Sequence, residues 1–316
     1  MTRFYALSLA LCLTGIAACG GNDAKNPSDV KADVSLEDAF ALLPSSPVAV
    51  GTVDARAFFG SATFGADLSK LVEQYLPIGQ EAGFSASRDV DRVTFGSYSY
   101  SGVDVAAILI GKFDEAKIKV AADKHTPTKS GGVIVASQYA GRDLYTINNV
   151  GFTILSSTRA VAGTEAGIRR VLERIQDKRV KRDVPKWMLD TLETPGASAA
   201  VAVDLATQPI PPETMRQIPV AFLQNAKQVR ALWQFKDPGV QLAASLTYAD
   251  AATAATATDQ VKQSTGYLKY AAFIGVKVQN VDVKNEKEDV QVKLTVDDQS
   301  LRTVLNLAPQ FLGGGK

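Results

Sequence analysis

The chain has 316 residues, of which 46% are hydrophobic and 21% are charged. This composition is typical of a globular protein, and the length corresponds to about two domains or one large one. The net charge of +1 excludes a general electrostatic attraction for nucleic acid. The single histidine, His125, argues against the many enzymes and metal sites that depend on imidazole.

The first twenty residues have the pattern of an export signal. Arg3 provides a positive start, and an almost purely apolar run follows from residue 6 to residue 18. As a helix this run would rise about 20 Å, which is short of the roughly 30 Å core of a bilayer. It therefore fits the apolar region of a signal peptide. The alternatives are an ordinary signal peptide cut after Gly20 and an uncleaved anchor.

The end of this run, Ile16-Ala17-Ala18-Cys19, resembles the lipobox of bacterial lipoproteins. The resemblance implies cleavage between Ala18 and Cys19, a diacylglyceryl group on the Cys19 thiol, and an acyl group such as palmitate on the new amino terminus. Two or more acyl chains anchor a protein stably, whereas one does so only marginally. Cys12 would leave with the signal, so the mature chain is predicted to contain no disulfide and no thiolate metal site.

Residues 19–35 are predicted to form a flexible tether after the signal peptide of residues 1–18. The stretch has almost no large apolar side chain, so it cannot bury enough surface to offset the entropy of ordering. In proteobacterial lipoproteins, Asp after the modified cysteine favours retention in the inner membrane. Gly20 occupies that place, so the resemblance implies the outer membrane of a two-membrane bacterium.

The folded part is predicted to begin with a first unit at residues 36–176. Apolar residues alternate in its predicted strands and recur at three- and four-residue spacing in its predicted helices. Asp114 and Thr164 stand where the N-caps of two helices are expected. In chain order, the predicted elements are a helix at 36–43, a strand at 48–53, a helix at 68–76, strands at 92–100 and 103–113, a helix from 115 to about 124, a hairpin at 132–147, strands at 150–157 and 160–163, and a helix after 164.

The same order restarts after residues 177–196, a charged stretch predicted to be a linker. Asp204 follows a strand as Asp54 does, and Asp250 and Ser300 are predicted to be helix N-caps. The predicted elements are a strand at 198–206, a helix around 215–223, strands at 228–235 and 240–250, a helix after 250, a hairpin at 278–296 and a helix after 300.

These patterns predict an α+β fold of two tandem similar units, 36–176 and 197–316. Each unit has the order β-α-β-β-α-β-β-α, with an antiparallel sheet covered by helices on one face. The alternative is a coincidental likeness between the halves. The body, including the stretch LLPSSPVAVGTVD, resembles uncharacterised bacterial lipoproteins and domains of unknown function. That resemblance brings no catalytic residues.

The search for catalytic motifs is negative, so we predict a protein that is not an enzyme and holds no cofactor or metal. The sequence has no phosphate-binding glycine loop, no zinc-protease motif and no serine-hydrolase elbow. Asp54 and Asp204 could be paired carboxylates for acid–base catalysis, although turn formation and capping explain them equally well. His125 is predicted to stabilise the end of a helix.

The main concentration of charge lies at residues 169–187, which hold eight basic and three acidic residues. One interpretation is a solvated helix face that runs into the linker. The other is a contact with phosphate-bearing lipid headgroups or an acidic partner, because clustered basic side chains attract anions. The residues predicted for this contact are Arg174, Lys178, Arg179 and Arg182. A second candidate site is a groove lined by aromatic residues of the predicted strands, although packing within the sheet explains these residues equally well. They are Phe95, Tyr98, Tyr100, Tyr139 and Tyr145.

Three function hypotheses follow from these patterns. The leading one is a lipid-anchored protein of the cell envelope that acts as a non-enzymatic binding or scaffold module. Its partners would be the membrane, through the lipid, and another envelope protein or anionic lipid, but not nucleic acid. The alternative is a carrier of a hydrophobic ligand or lipid between helices and sheet. The third is a hydrolase of unknown substrate.

Overall fold

A computed structural model describes residues 34–75, 79, 82–100, 103–125, 127–128, 132–216, 221–235 and 239–312. The predicted signal peptide and tether, with Cys12 and Cys19, lie outside these ranges. The strands are β1 (Ala49–Val53), β2 (Val90–Ser97), β3 (Val105–Gly111), β4 (Val135–Tyr139), β5 (Arg142–Ile147), β6 (Val150–Ser156), β7 (Arg159–Thr164), β8 (Ala199–Asp204), β9 (Gln228–Phe235), β10 (Val240–Thr247), β11 (Val278–Glu286) and β12 (Asp289–Val296).

The described α-helices lie before, between and after these strands along the chain. They are α1 (Ala39–Leu42), α2 (Ala55–Phe59), α3 (Gly65–Tyr75), α4 (Ala86–Asp89), α5 (Glu115–Asp123), α6 (Glu165–Gln176), α7 (Lys186–Leu192), α8 (Pro212–Met215), α9 (Ala251–Thr265), α10 (Leu268–Ala271) and α11 (Asp298–Leu312). Short 3₁₀ turns occupy Val34–Glu37, Ala221–Leu223 and Ala272–Ile274. No helix in the described part of the chain combines the length and apolar character needed to cross a membrane.

The strands form one 12-stranded open sheet in which every neighbouring pair is antiparallel. Its order is β11-β12-β10-β9-β8-β1-β2-β3-β7-β6-β5-β4. The prediction of an α+β fold with antiparallel sheet is therefore confirmed. The two predicted units share this single sheet, because β1 pairs with β8 at its centre, with Gly51 opposite Val201.

Helices cover both faces of the sheet around β3, whereas the sequence analysis expected one covered face. Ala106 and Ile108 pack in a core with α6 and α7, while Ala107 and Leu109 pack in another core with α5. A strand that is apolar at consecutive positions is typical of burial on both sides. We call the side of Ala106 and Ile108 the α6 face, and the opposite side the α9 face, because α9 packs there against Leu246.

Local sequence explains where several helices begin. The side chains of Asp54, Asp114, Thr164 and Asp250 each accept a hydrogen bond from the backbone N–H three residues further on. This is the N-cap arrangement, which satisfies a backbone donor that has no partner within the helix. The predicted N-caps Asp114, Thr164 and Asp250 are thus confirmed.

The N-cap predicted at Ser300 is wrong. Asp297 Oδ1 accepts from the Ser300 N–H at 2.8 Å, so the cap lies three residues earlier. Ser300 is inside α11 and is 1% exposed. Its hydroxyl oxygen instead accepts from the Lys277 N–H at 2.8 Å. That bond ties α11 to the residue before β11.

In two segments the structure differs from the sequence prediction. The stretch 177–196, predicted to be a linker, contains α7, whose Met188 and Leu192 are buried in the core of the α6 face. The helix predicted around 215–223 is shorter, because α8 ends at Met215 and a 3₁₀ turn begins at Ala221. Residues 217–220, with Pro219, and the turn residues 237–238 lie outside the described ranges.

Candidate functional site

The structure places Arg174 inside the protein and not on a surface. The residue is 4% exposed. Its Nη1 donates to Asp183 Oδ2 at 2.9 Å, and its Nη2 donates to the carbonyl oxygen of Lys181 at 2.8 Å and to that of Ala41 at 3.3 Å. A guanidinium held in this way cannot reach a partner. The prediction that Arg174 contacts a lipid headgroup or an acidic partner is therefore wrong, and its role is to join α6 to α1 and to the segment before α7.

Carboxylates compensate most of the charge at the other residues predicted for this contact. Arg179 Nη2 lies 2.7 Å from an oxygen of Asp177. Arg182 bridges two carboxylates, with Nε 2.6 Å from Asp38 and Nη1 2.9 Å from Glu193. Lys178 is exposed and pairs with no carboxylate of the described residues. An anionic contact by Lys178, Arg179 and Arg182 stays a prediction.

Asp54 and Asp204 lie at opposite ends of the central strand pair. The Asp54 N–H donates to the Ser198 carbonyl at one end, and the Asp204 N–H donates to the Val48 carbonyl at the other. The two ends are six residue steps apart along the strands, or roughly 20 Å. Acid–base pairs that act on one substrate lie within about 10 Å. The structure therefore rules out a shared site for this carboxylate pair.

Asp54 has a structural role that can be measured. Its Oδ1 accepts from the Ala57 N–H at 2.9 Å and caps α2. Asp54→Ala should lower the free energy of unfolding by about 1 kcal/mol, whereas Asp54→Asn should have little effect because Asn caps equally well. Urea unfolding of both variants tests this. A hydrolytic activity that Asp54→Asn removes without a change in stability would contradict a purely structural role.

The five aromatic residues that were predicted to line a groove do not share one surface. Phe95 and Tyr145 belong to the core of the α9 face, and Tyr98 and Tyr139 belong to the core of the α6 face. The Tyr100 hydroxyl donates to the Gln208 carbonyl at 2.6 Å. Packing on both sides of the sheet explains these residues, and a groove formed by all five is ruled out.

His125 follows the end of α5, as the sequence analysis predicts. Its Nδ1 lies 3.1 Å from the carbonyl oxygen of Asp123, and the residue is exposed. Within the described ranges, no group of three or more acidic, histidine or cysteine side chains is arranged to hold a metal ion. A further candidate for a site is a groove on the α6 face.

This groove has a volume of about 360 Å³ and opens between α7 and β12. Its floor is β10, which presents the small side chains of Ala243 and Ser245. Trp187 of α7 stands on one side, and Gln291 and Lys293 of β12 stand on the other. A concave surface results because short side chains lie between a helix and longer side chains. We call it the β10 groove.

Strand register brings the residues of the β10 groove together. Arg230, Ser245 and Gln291 lie opposite one another on β9, β10 and β12. The next row on the same face contains Leu232, Ala243 and Lys293. Residues two positions apart in a strand point to the same side of the sheet. Since Leu232 joins the core under α7, both rows belong to the α6 face.

Arg230 is the half-buried charge of the β10 groove. Its guanidinium carbon lies 5.3 Å from the centre of the Trp187 ring, within the range of a cation–π contact. Its Nη2 donates to Gln228 Oε1 at 2.8 Å, and its buried Nε has no hydrogen-bond partner among the described residues. No carboxylate of the described residues forms an ion pair with Arg230, in contrast to Arg174 and Arg182.

These features define an α+β protein built on one open antiparallel sheet with a polar groove on one face. The same fold occurs in solved structures of TP0453, a Treponema protein. Crystal form III has a TM-score of 0.52 and 11% sequence identity, and the match covers 87% of this chain and 99% of that chain. Crystal form I has a TM-score of 0.51 and 11% identity, with 88% and 99% covered. At this identity the likeness shows the fold alone.

No protein-family model matches the sequence, and no curated protein sequence matches it. The residues of the β10 groove therefore have to be interpreted from their chemistry. The sequence analysis did not single out Arg230, Ser245 or Lys293. The available signal was the alternation of polar residues along β9 and β12, which marks a polar sheet face.

Proposed function

We propose that this chain is a lipid-anchored protein of the bacterial cell envelope that binds another envelope component without catalysis. The observation that carries the proposal is the β10 groove. It is concave, it combines an aromatic ring and small apolar residues with a few polar groups, and it contains Arg230, whose charge no described carboxylate compensates. Such a combination is typical of binding sites. The sheet beneath it gives the groove a rigid floor.

The anchor is proposed from the sequence. A lipid on Cys19 would hold the protein at the outer membrane, and a flexible tether of this length has a reach of roughly 20 to 25 Å. The groove would then sample ligands close to the membrane. The fold likeness to TP0453, a membrane-associated protein of Treponema, agrees with that setting.

The proposal also includes the duplication of the two units. Starting from the central pair, β2 and β3 follow β1 outward in one direction, and β9 and β10 follow β8 outward in the other. This order is what two copies of one unit, paired through their first strands, would give. An extra hairpin, β4–β5, would then belong to the first unit alone.

Site-specific photo-crosslinking in native membranes tests the binding function. A photoreactive residue at Gln291, in the wall of the groove, should capture a discrete envelope component, and Arg230→Gln should abolish that capture. The matched control is the same residue at Asp259, which is exposed on α9. Equal products at both positions, or none at Gln291, would contradict the proposal.

A hydrophobic carrier is the second candidate, and one observation favours it. Trp233, Leu242 and Leu294 form a cross-strand row on the α9 face and are only half-buried. Lipid that copurifies with the protein in native mass spectrometry, and is lost on Leu242→Asn, would support the carrier. The hydrolase hypothesis gains no support, since Asp54 and Asp204 lie far apart.

A further inference from the structure

We propose that the β10 groove binds a small ligand that carries an oxyanion, either a carboxylate or a phosphate, on an apolar body. This inference rests on the proposed binding function and names the chemistry of the ligand. Three observations carry it: the charges of the groove, the apolar part of its lining, and its size.

The charges of the β10 groove favour an anion. Arg230 and Lys293 both line it, and within the described part of the chain neither forms an ion pair. The one carboxylate in the lining, Asp190, is occupied, because both of its oxygens lie 2.7 Å from Lys186 Nζ. The groove thus keeps two positive charges and one compensated negative charge. An oxyanion is the group that would neutralise them.

Because of its position, Arg230 should interact with a bound anion more strongly than Lys293 does. It is half-buried, and a charge that is partly removed from water interacts more strongly with a counter-ion than an exposed one does. Stacking on Trp187 restricts the orientation of the guanidinium. Its planar donors match the oxygens of carboxylates and phosphates. Lys293 is exposed at the opposite wall and would bind as a point charge.

The floor of the β10 groove determines where the anion would lie. Arg230 and Lys293 stand on β9 and β12, on either side of β10 and one row apart. Their backbones are therefore roughly 12 Å apart, two strand spacings across the sheet and two residues along it. Ser245 of β10 lies between them and offers a hydroxyl donor for which no hydrogen-bond partner is found among the described residues. An oxyanion above Ser245 is within reach of both long basic side chains.

The rest of the lining suits an apolar group. Leu232 and Ala243 contribute aliphatic surface, and Trp187 contributes an aromatic ring. A volume of about 360 Å³ accommodates a small molecule and is close to the lower end for ligand sites. A bare inorganic anion would leave this apolar surface exposed to water, so an anion with an apolar body fits better.

Calorimetric titration with phenyl phosphate and with benzoate tests the inference. The protein is the full chain with Cys19→Ser, which keeps every described residue and removes the lipid. We expect saturable binding of at least one of the two probes, and the tighter one identifies the preferred oxyanion. Benzyl alcohol, which has the ring without the charge, should bind at least tenfold more weakly.

Variants locate the binding in the β10 groove. Arg230→Gln keeps a polar side chain and removes the charge, so it should weaken binding at least tenfold. The control Arg216→Gln, at an exposed arginine after α8, should leave the affinity unchanged. Circular dichroism and the unfolding midpoint must agree among the three proteins. In a Trp233→Phe background, Trp187 is the only tryptophan, and its fluorescence should change on binding.

Two results would overturn the inference. One is the absence of saturable binding by both anions at millimolar concentration. The other is equal affinity in Arg230→Gln and in the parent protein. If either occurs while crosslinking at Gln291 still captures an envelope component, the oxyanion inference fails and the proposed function stands. Loss of the crosslink as well would contradict both the oxyanion inference and the proposed function.

Discussion

Replacing Cys19 with alanine should abolish acyl labelling and block cleavage before residue 19, and it should release the folded part from the membrane if the signal is cut at another site. The thiol is the only group at this position that can form the thioether to a diacylglyceryl group, and processing of a lipoprotein signal follows that modification. Each buried methylene contributes about 0.8 kcal/mol to membrane binding, so the loss of two or more acyl chains removes stable anchoring. Cys19→Ala should therefore show no acyl labelling, and its signal should not be cut before residue 19.

Metabolic labelling with an alkyne fatty acid, followed by fractionation of membranes, measures this effect. Cys12→Ala is the matched control, because it replaces the other cysteine of the chain within the apolar part of the signal. Alanine is accepted in such a region, so labelling should be normal in this variant. Normal labelling of Cys19→Ala, or loss of labelling in Cys12→Ala alone, would refute attachment at Cys19.

Arg174→Ala should lower the free energy of unfolding by about 3 kcal/mol. The change removes one partner of a buried ion pair and also leaves the carbonyl oxygens of Ala41 and Lys181 without their donor. Domains are stable by only about 5 to 15 kcal/mol, so this is a large fraction. Arg179→Ala is the control, since its pair with Asp177 is exposed and should contribute less than about 1 kcal/mol. Urea unfolding of both variants measures the difference.

The pH dependence of stability gives a second readout for the same ion pair. Burial raises the pKa of Asp183, but hydrogen bonds from Arg174 and Lys181 outweigh it and hold the pKa below its usual range. The carboxylate therefore stabilises the fold above its unfolded pKa of about 3.9, and this contribution is lost as the pH falls through the folded pKa. Arg174→Ala should lose less stability below about pH 4 than the parent protein. An unchanged acid profile would argue against this coupling.

The sequence predicted those features that depend on neighbouring residues. The N-caps Asp114, Thr164 and Asp250 act on backbone groups three residues away, so a short window contains all the information. The β4–β5 hairpin, which lies within the hairpin predicted at 132–147, was predicted for the same reason. The α7 helix was missed because surrounding charges are typical of a linker. The four-residue spacing of Met188 and Leu192 was the signal for its buried face.

The β10 groove could not be predicted in this way, because its residues meet only through the lateral order of strands. Arg230 and Ser245 belong to adjacent strands of one hairpin. Lys293 belongs to β12, which follows α9 and β11 in the chain. That order is set by packing over the whole sheet. The burial of Arg174 had a local signal, since it lies three residues after the buried Val171 on α6. Its place in a run of basic residues concealed that signal.

The pairing of β1 with β8 has a consequence for the proposed export of the protein. The two strands are about 150 residues apart in the chain, and their contacts hold the centre of the sheet together. Contacts between distant residues form slowly, because a long loop must close first. During translocation from the amino terminus, β1 emerges well before β8 and has an unpaired edge. Such edges aggregate readily. The nascent chain should therefore depend on a chaperone of the envelope until residue 204 has crossed, and its refolding in vitro should be slow and sensitive to protein concentration.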